Sequence, residues 1–299
     1  MNMYPLLCLF TGVLIAVMVT VNGQLSLVYG VFAATVIIHI VGTIASFLAC
    51  KVSKTPIRAK EKLPLWMYMG GAIGVCNTLS NAQAYGKISM TSIVALGLLG
   101  QTLTSLVIDN FGLMGMPKHP VRKGALAGLL LSLAGIFVMM DSSVGSAVSA
   151  VFVAFGGGIT IVLSRTVNAR LAQHVGPLAG SFINHIVGLP ITVVICMMLA
   201  PGALRAVIPN FSPVPWIYVG GMMGVCSVML FNVTVPRVPA FQLTLLGFVG
   251  QVFMSIALDL LMDNSYAQVT FIGGLLVAAG VALNMVLEYM IDKKTANRA

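Results

Sequence analysis

Charge is what this chain has least of. Only 8% of its 299 residues are Asp, Glu, Lys or Arg, and the acids number seven. A soluble domain carries roughly a quarter charged residues, so this sequence cannot cover a water-facing surface. The shortage excludes a soluble globular fold. It also removes the reading of the +9 net charge as a nucleic-acid signal. A long polar linker, a low-complexity tail, a CxxC pair and any metal-ligand spacing are absent too. Cys8, Cys50, Cys76, Cys196 and Cys226 lie in or beside apolar runs, so they read as small hydrophobes. No GxxxxGK[ST] loop is present, which excludes ATP hydrolysis by this chain alone. No metal or other cofactor is implied.

What the chain has is hydrophobicity: 59% apolar residues and a mean hydropathy of +1.02. A helix that crosses a bilayer needs about 20 mostly apolar residues. Ten stretches qualify: 4–21, 31–50, 65–85, 90–109, 124–140, 148–165, 176–200, 216–235, 240–262 and 268–290. The expectation is an all-α polytopic membrane protein with ten transmembrane helices. Membrane strands are excluded because the apolar runs do not alternate. The first stretch has no basic n-region and no A-x-A site, so it reads as a helix and not as a signal peptide.

The sequence then repeats itself. "TVNGQLSLVYGVFAATVIIHIVG" (Thr20 to Gly42) aligns without a gap with "TVNARLAQHVGPLAGSFINHIVG" (Thr166 to Gly188). "WMYMGGAIGVC" (Trp66 to Cys76) matches "WIYVGGMMGVC" (Trp216 to Cys226), and "LGLLGQTLTSLVID" (Leu96 to Asp109) matches "LGFVGQVFMSIALD" (Leu246 to Asp259). Gly128 and Gly135 pair in pattern with Gly273 and Gly280. The chain is a tandem duplication, with a five-helix half over 1–145 and another over 146–299. Five is odd, so the second half should enter the membrane inverted. The basic residues give an independent reason. With the N-terminus inside, fourteen of the sixteen Lys and Arg fall in inner segments, and Lys87 and Arg205 alone fall outside. Both termini should be cytoplasmic. Inverted repeats are common in secondary transporters, whose substrate site lies near the midplane between the halves.

The second helix of each half carries a polar stripe. Thr35, His39, Gly42 and Ser46 fall at i, i+4, i+7 and i+11, on one helical face. Their counterparts are Ser181, His185, Gly188 and Thr192. An intramembrane ionisable group is a functional candidate, so His39 and His185 are expected to line a cavity. The alternative is helix–helix glue. Asn184 has no twin, since Ile38 occupies its place. Gln101 and Gln251 each follow a Gly, and glue is as good a reading for them. Asn22 and Asn168 stand near the ends of their apolar runs, where Asn can bind substrate or else cap or break a helix. Asn77 and Asn81 lie one turn apart in the third helix. No acid sits at mid-membrane, which argues against antiport driven by a buried carboxylate. His39 and His185 are the mid-helix groups that titrate nearest neutral pH.

"GGAIGV", followed by "GLLGQTLTSLVIDNFGLMGMP" and "KGALAGLLLSLAGIFVM", resembles the YdcZ-type family of bacterial inner-membrane exporters, within the drug/metabolite transporter superfamily. "TVNGQLSLVYG" and "HIVGT" fit its early helices, and the resemblance covers both halves, with "LDLLMDN" standing where the first half has "IDNFGLM". It implies a ten-helix fold with an interfacial cavity in the bacterial inner membrane. The expected function is a secondary transporter, an exporter of small polar or amphipathic metabolites. A passive facilitator or channel is the alternative, with a membrane enzyme or scaffold behind it. The expected partners are a small-molecule substrate and the lipid bilayer, and no nucleic acid. Helices five and ten offer a homodimer contact through Gly128, Gly135, Gly273 and Gly280.

Overall fold

The computed structural model describes residues 3–84, 87–120, 126–145, 147–261 and 268–296, with the side chains of 81, 82, 143, 259, 288, 289 and 291–296 excepted. The apolar stretches fold as helices because a backbone denied water must satisfy its N–H and C=O groups within the segment. Among the described residues they are α1 (Tyr4–Tyr29), α2 (Val31–Val52), α3 (Gly70–Ala84), α4 (Met90–Phe111), α5 (Leu126–Val138), α6 (Val148–Val175), α7 (Pro177–Leu199), α8 (Gly220–Thr234), α9 (Ala240–Leu261) and α10 (Gln268–Ala296). No strand occurs among them. Among the described residues, eight segments are long and apolar enough to cross a membrane, α8 counting with the 3-10 turn that precedes it. Leu126–Val138 is a shorter apolar helix.

Two sequence boundaries need correction. The apolar runs at 4–21 and 148–165 continue as helix to Tyr29 and Val175. Asn22 and Asn168 therefore sit inside helices and neither cap nor break them. Arg165 and Arg170 also lie within α6 and not in a connecting segment. The true stops are Gly30 (φ 76°) and Gly176 (φ 89°), equivalent positions of the repeat. Positive φ costs glycine little, so one residue suffices to separate α1 from α2 and α6 from α7.

The chain divides into two compact units, and each draws on both sequence halves. The first comprises Met1–Val13, Gln83–Ile159 and Val238–Ala299. It holds α4, α5, α9 and α10. The four glycines expected at a dimer contact face each other here within one chain. A Cβ on Gly128 would stand 2.5 Å from the Gly280 carbonyl oxygen, and one on Gly135 would stand 2.6 Å from that of Gly273. Small residues let the α5 and α10 backbones meet. A dimer through these helices must use their other faces.

Asp109 closes α4 in the same unit and is 4% exposed. Its carboxylate accepts the backbone N–H of Ala240 (2.7 Å) and Phe241 (2.8 Å), the first residues of α9. A carboxylate at a helix N-terminus satisfies donors that have no intrahelical partner and complements the helix dipole. Asp109→Ala should destabilise by about 2–4 kcal/mol, because two buried donors lose a charged acceptor. Asp109→Asn, which keeps one carbonyl oxygen, should lose less. Thermal melting of the detergent-solubilised protein checks this order, and equal melting of all three would refute the capping role.

The second unit comprises Leu14–Ala82 and Thr160–Arg237. It holds α2, α7, α8, most of α1, nearly all of α3 and the second part of α6. The segments outside its helices are tied down. Tyr29 and Tyr218 share a 2.5 Å hydroxyl contact, and the Ser212 N–H donates to Tyr29 Oη (2.8 Å). Glu61 pairs with His174 Nδ1 at 2.7 Å, which ties the segment after α2 to the end of α6.

Candidate functional site

The polar stripes of α2 and α7 face each other inside the second unit. The His39 and His185 rings lie 5.9 Å apart, centroid to centroid, tilted by 55°. Glycine makes the approach possible, and it does so reciprocally. The edge of His185 packs against Gly42, where a Cβ would overlap its Cδ2. The edge of His39 packs against Gly188, where a Cβ would stand 2.7 Å from Nε2. Each helix therefore supplies one ring and the notch for the other ring. His185 is buried and His39 is half-buried. His185 Nε2 also borders α8, 3.4 Å from a Cβ placed on Gly224.

Hydrogen bonds fix both rings. His39 Nδ1 lies 2.9 Å from the Thr35 carbonyl oxygen, and His185 Nδ1 lies 2.8 Å from that of Ser181. A carbonyl only accepts, so each Nδ1 carries the proton. In the neutral ring Nε2 is then an acceptor.

The asparagines form a second reciprocal set. Asn22 Oδ1 lies against Gly220 and Asn168 Oδ1 against Gly70, each closer than a Cβ on that glycine would allow. Next to these glycines the backbones of neighbouring helices meet. A Cβ on Gly71 would overlap the Asn184 carbonyl oxygen, and one on Gly221 would stand 2.5 Å from that of Ile38. The two sets are not equal. Asn168 Nδ2 donates to Asn184 Oδ1 (2.7 Å), and Ser164 Oγ donates to the Gly70 carbonyl (2.7 Å). In the other set Ile38 and Met18 occupy the corresponding places. There the buried Asn22 Oδ1 has no hydrogen-bond partner among the described residues.

The structure thus gathers His39, His185, Asn184, Asn22, Asn168 and Asn77 in one unit, Asn77 half-buried on α3. The Asn81 side chain lies outside the described residues. Gln101 and Gln251 belong to the other unit. Their backbone nitrogens sit at helix crossings, 3.0 Å from a Cβ placed on Gly158 and 2.8 Å from one placed on Gly12. Sequence reasoning quoted the Gly70–Gly71 and Gly220–Gly221 pairs only as evidence of repetition and missed their role as crossing points. It also missed Arg165, which is 7% exposed with its guanidinium 5.8 Å from the centre of the Phe231 ring. A basic residue inside an apolar run was the available signal.

A solved structure named only as "Crystal structure of protein" superposes with a TM-score of 0.68 over 97% of this chain and 98% of its own, at 15% identity. That likeness shows the fold alone. No curated protein matches the sequence. One family model, described as "Putative inner membrane exporter, YdcZ", matches twice, over residues 3–138 and 149–283. Covered by that model once in each half, the chain belongs to the YdcZ family of the drug/metabolite transporters.

Proposed function

We propose that this protein is a secondary transporter that exports small metabolites by alternating access, with His39 and His185 lining the substrate path. Family membership and the membrane-helical architecture support a membrane transporter. The observation that carries the finer reading is the reciprocal histidine–glycine contact between α2 and α7. It joins equivalent positions of the two sequence halves, where a transporter built from repeats holds its substrate. Ionisable side chains inside a membrane are costly in a purely structural crossing, which favours a functional role for the pair. Asn22, Asn168, Asn184 and Asn77 are further candidates for substrate contact within the same unit, and Gln101 and Gln251 are separate candidates that belong to the other unit. The reading includes ten spans, inverted halves and cytoplasmic termini. It also includes a small-molecule substrate, no catalytic role, and room for a homodimer on the outer faces of α5 and α10.

Export is tested in cells. Metabolite profiling of the medium should show at least one compound released faster from cells expressing the protein than from cells expressing His39→Gln/His185→Gln. Release that continues against a concentration gradient, and stops when the ion gradients are collapsed, marks secondary transport. Release that only follows the gradient marks a facilitator instead.

Orientation has its own expected outcome. In a cysteine-free background, a membrane-impermeant maleimide added outside should label Cys introduced at Ser212 but not at Ser53. The motive is the fourteen-to-two division of basic residues. The reverse labelling pattern would overturn cytoplasmic termini and the inverted arrangement with them.

A further inference from the structure

The polar groups of the α2 and α7 stripes share a property that their residue names do not reveal. Every one of them has committed its proton to a backbone carbonyl. The Thr35 hydroxyl donates to Val31 (2.7 Å) and the Ser46 hydroxyl to Gly42 (2.6 Å). The Ser181 hydroxyl donates to Val225 (3.1 Å) and the Thr192 hydroxyl to Leu189 (2.8 Å). His39 Nδ1–H and His185 Nδ1–H donate to Thr35 and Ser181. A carbonyl oxygen cannot donate, so these six assignments follow from the heavy atoms. What remains on each group is an acceptor: a hydroxyl lone pair or an imidazole Nε2. Neither Nε2 has a hydrogen-bond partner among the described residues, although His185 is 4% exposed.

Charge narrows the ligand further. Across 14–82 and 160–237 the sequence holds one acid, Glu61, and that carboxylate is already paired with His174 at 2.7 Å. A cationic ligand at the stripe would find no counter-charge there, and an uncompensated charge in a membrane interior is costly. An anionic ligand would meet lone pairs. Arg165, a buried cation of this unit, is engaged over Phe231 and in a further interaction.

We infer that the α2/α7 stripe binds an uncharged ligand through the ligand's own hydrogen-bond donors, as a polyol or a primary amide would supply them. The inference rests on the reading of this crossing as the transport site. A small cleft already opens onto the stripe, with Thr35, Thr78 and Thr192 on its wall beside Phe32, Val75 and Ile195. A ligand larger than water needs the helices to part, which alternating access provides.

The test uses the purified full-length protein in detergent and four probes: erythritol, malonamide, succinate and putrescine. Erythritol or malonamide should raise the melting temperature saturably, by about 2 °C or more near saturation. The shift should vanish in Thr35→Val/Thr192→Val, which keeps side-chain volume and removes two acceptors, and in His185→Phe. The variants also control for the general stabilisation that polyols exert by exclusion from protein surfaces. Stabilisation by succinate or putrescine alone overturns the inference. So does an unchanged response in both variants, or no response to either neutral probe. Proteoliposomes separate this result from the transport reading. A neutral probe that binds at the stripe but does not cross leaves the acceptor surface standing and removes transport. Histidine-dependent passage of a charged probe does the opposite.

Discussion

Valine at Gly71 or at Gly221 should leave little folded protein in a membrane extract. The two positions are equivalent in the repeat, and at both an added side chain meets backbone. At Gly71 a Cβ would overlap the Asn184 carbonyl oxygen and stand 3.0 Å from the Gly188 nitrogen. At Gly221 it would stand 2.5 Å from the Ile38 oxygen and 2.9 Å from the Gly42 nitrogen. Backbone atoms inside helices cannot rotate aside, so the helices must separate. Separation undoes the close packing that replaces the hydrophobic effect as the driving force between helices in lipid. Overpacking a tight site commonly costs about 1–3 kcal/mol and occasionally more, and three added carbons against two backbones belong at the upper end. Gly23 is the control, because a Cβ there meets nothing within 4 Å. Gly23→Ala should melt at or above the wild-type temperature, since alanine favours a helix by roughly 1 kcal/mol over glycine. Size-exclusion profiles and thermal melting of the three variants decide the matter. A wild-type profile for Gly71→Val would refute the close crossing.

His185→Phe should reduce transport by roughly 5- to 150-fold, the span that corresponds to about 1–3 kcal/mol for leaving a buried donor without its acceptor. His39→Phe should cost less, because His39 is only half-buried and solvent can replace its acceptor in part. His185→Gln, which restores a carbonyl acceptor but not the ring, should fall between wild type and His185→Phe. Gly42→Ala offers a separate approach to the same ring. It removes no polar atom, yet its methyl group occupies the place of the His185 edge. It should therefore impair transport by moving the imidazole. Melting temperature has to be measured beside transport for each variant. Loss of transport in step with loss of stability would make the histidines packing elements. Loss of transport at wild-type stability would make them site residues.

Sequence alone showed the helices and the repeat because both are written in apolar content and spacing. The histidine stripe was legible for the same reason: a duplication displays twice which polar positions it keeps. The ends of α1 and α6 were hidden. A window that follows apolarity stops at Asn22 or Arg165, yet those side chains are held by a glycine or an aromatic ring on another helix. Only the fold shows that partner. The grouping of candidates was hidden as well. His39 and Gln101 look alike as polar residues in apolar runs, but the chain places them in different compact units. The glycines of α5 and α10 promised an association. Their spacing could not say whether the partner was another chain or, as here, the other half of the same one.

The histidine contact is self-complementary, since the segment His-Ile-Val-Gly supplies both the knob and the hole. Two copies of one such segment satisfy each other with no further design, as in an isologous interface between identical subunits. A half-length ancestor could therefore have made this contact with a second copy of itself before the halves were joined. Once joined, the copies were free to diverge wherever a side chain takes no part in the match. Positions 38 and 184 illustrate that freedom. They meet Gly221 and Gly71 through their carbonyl oxygens, so isoleucine serves in one copy and asparagine in the other. Positions 39 and 185, and 42 and 188, had no such latitude.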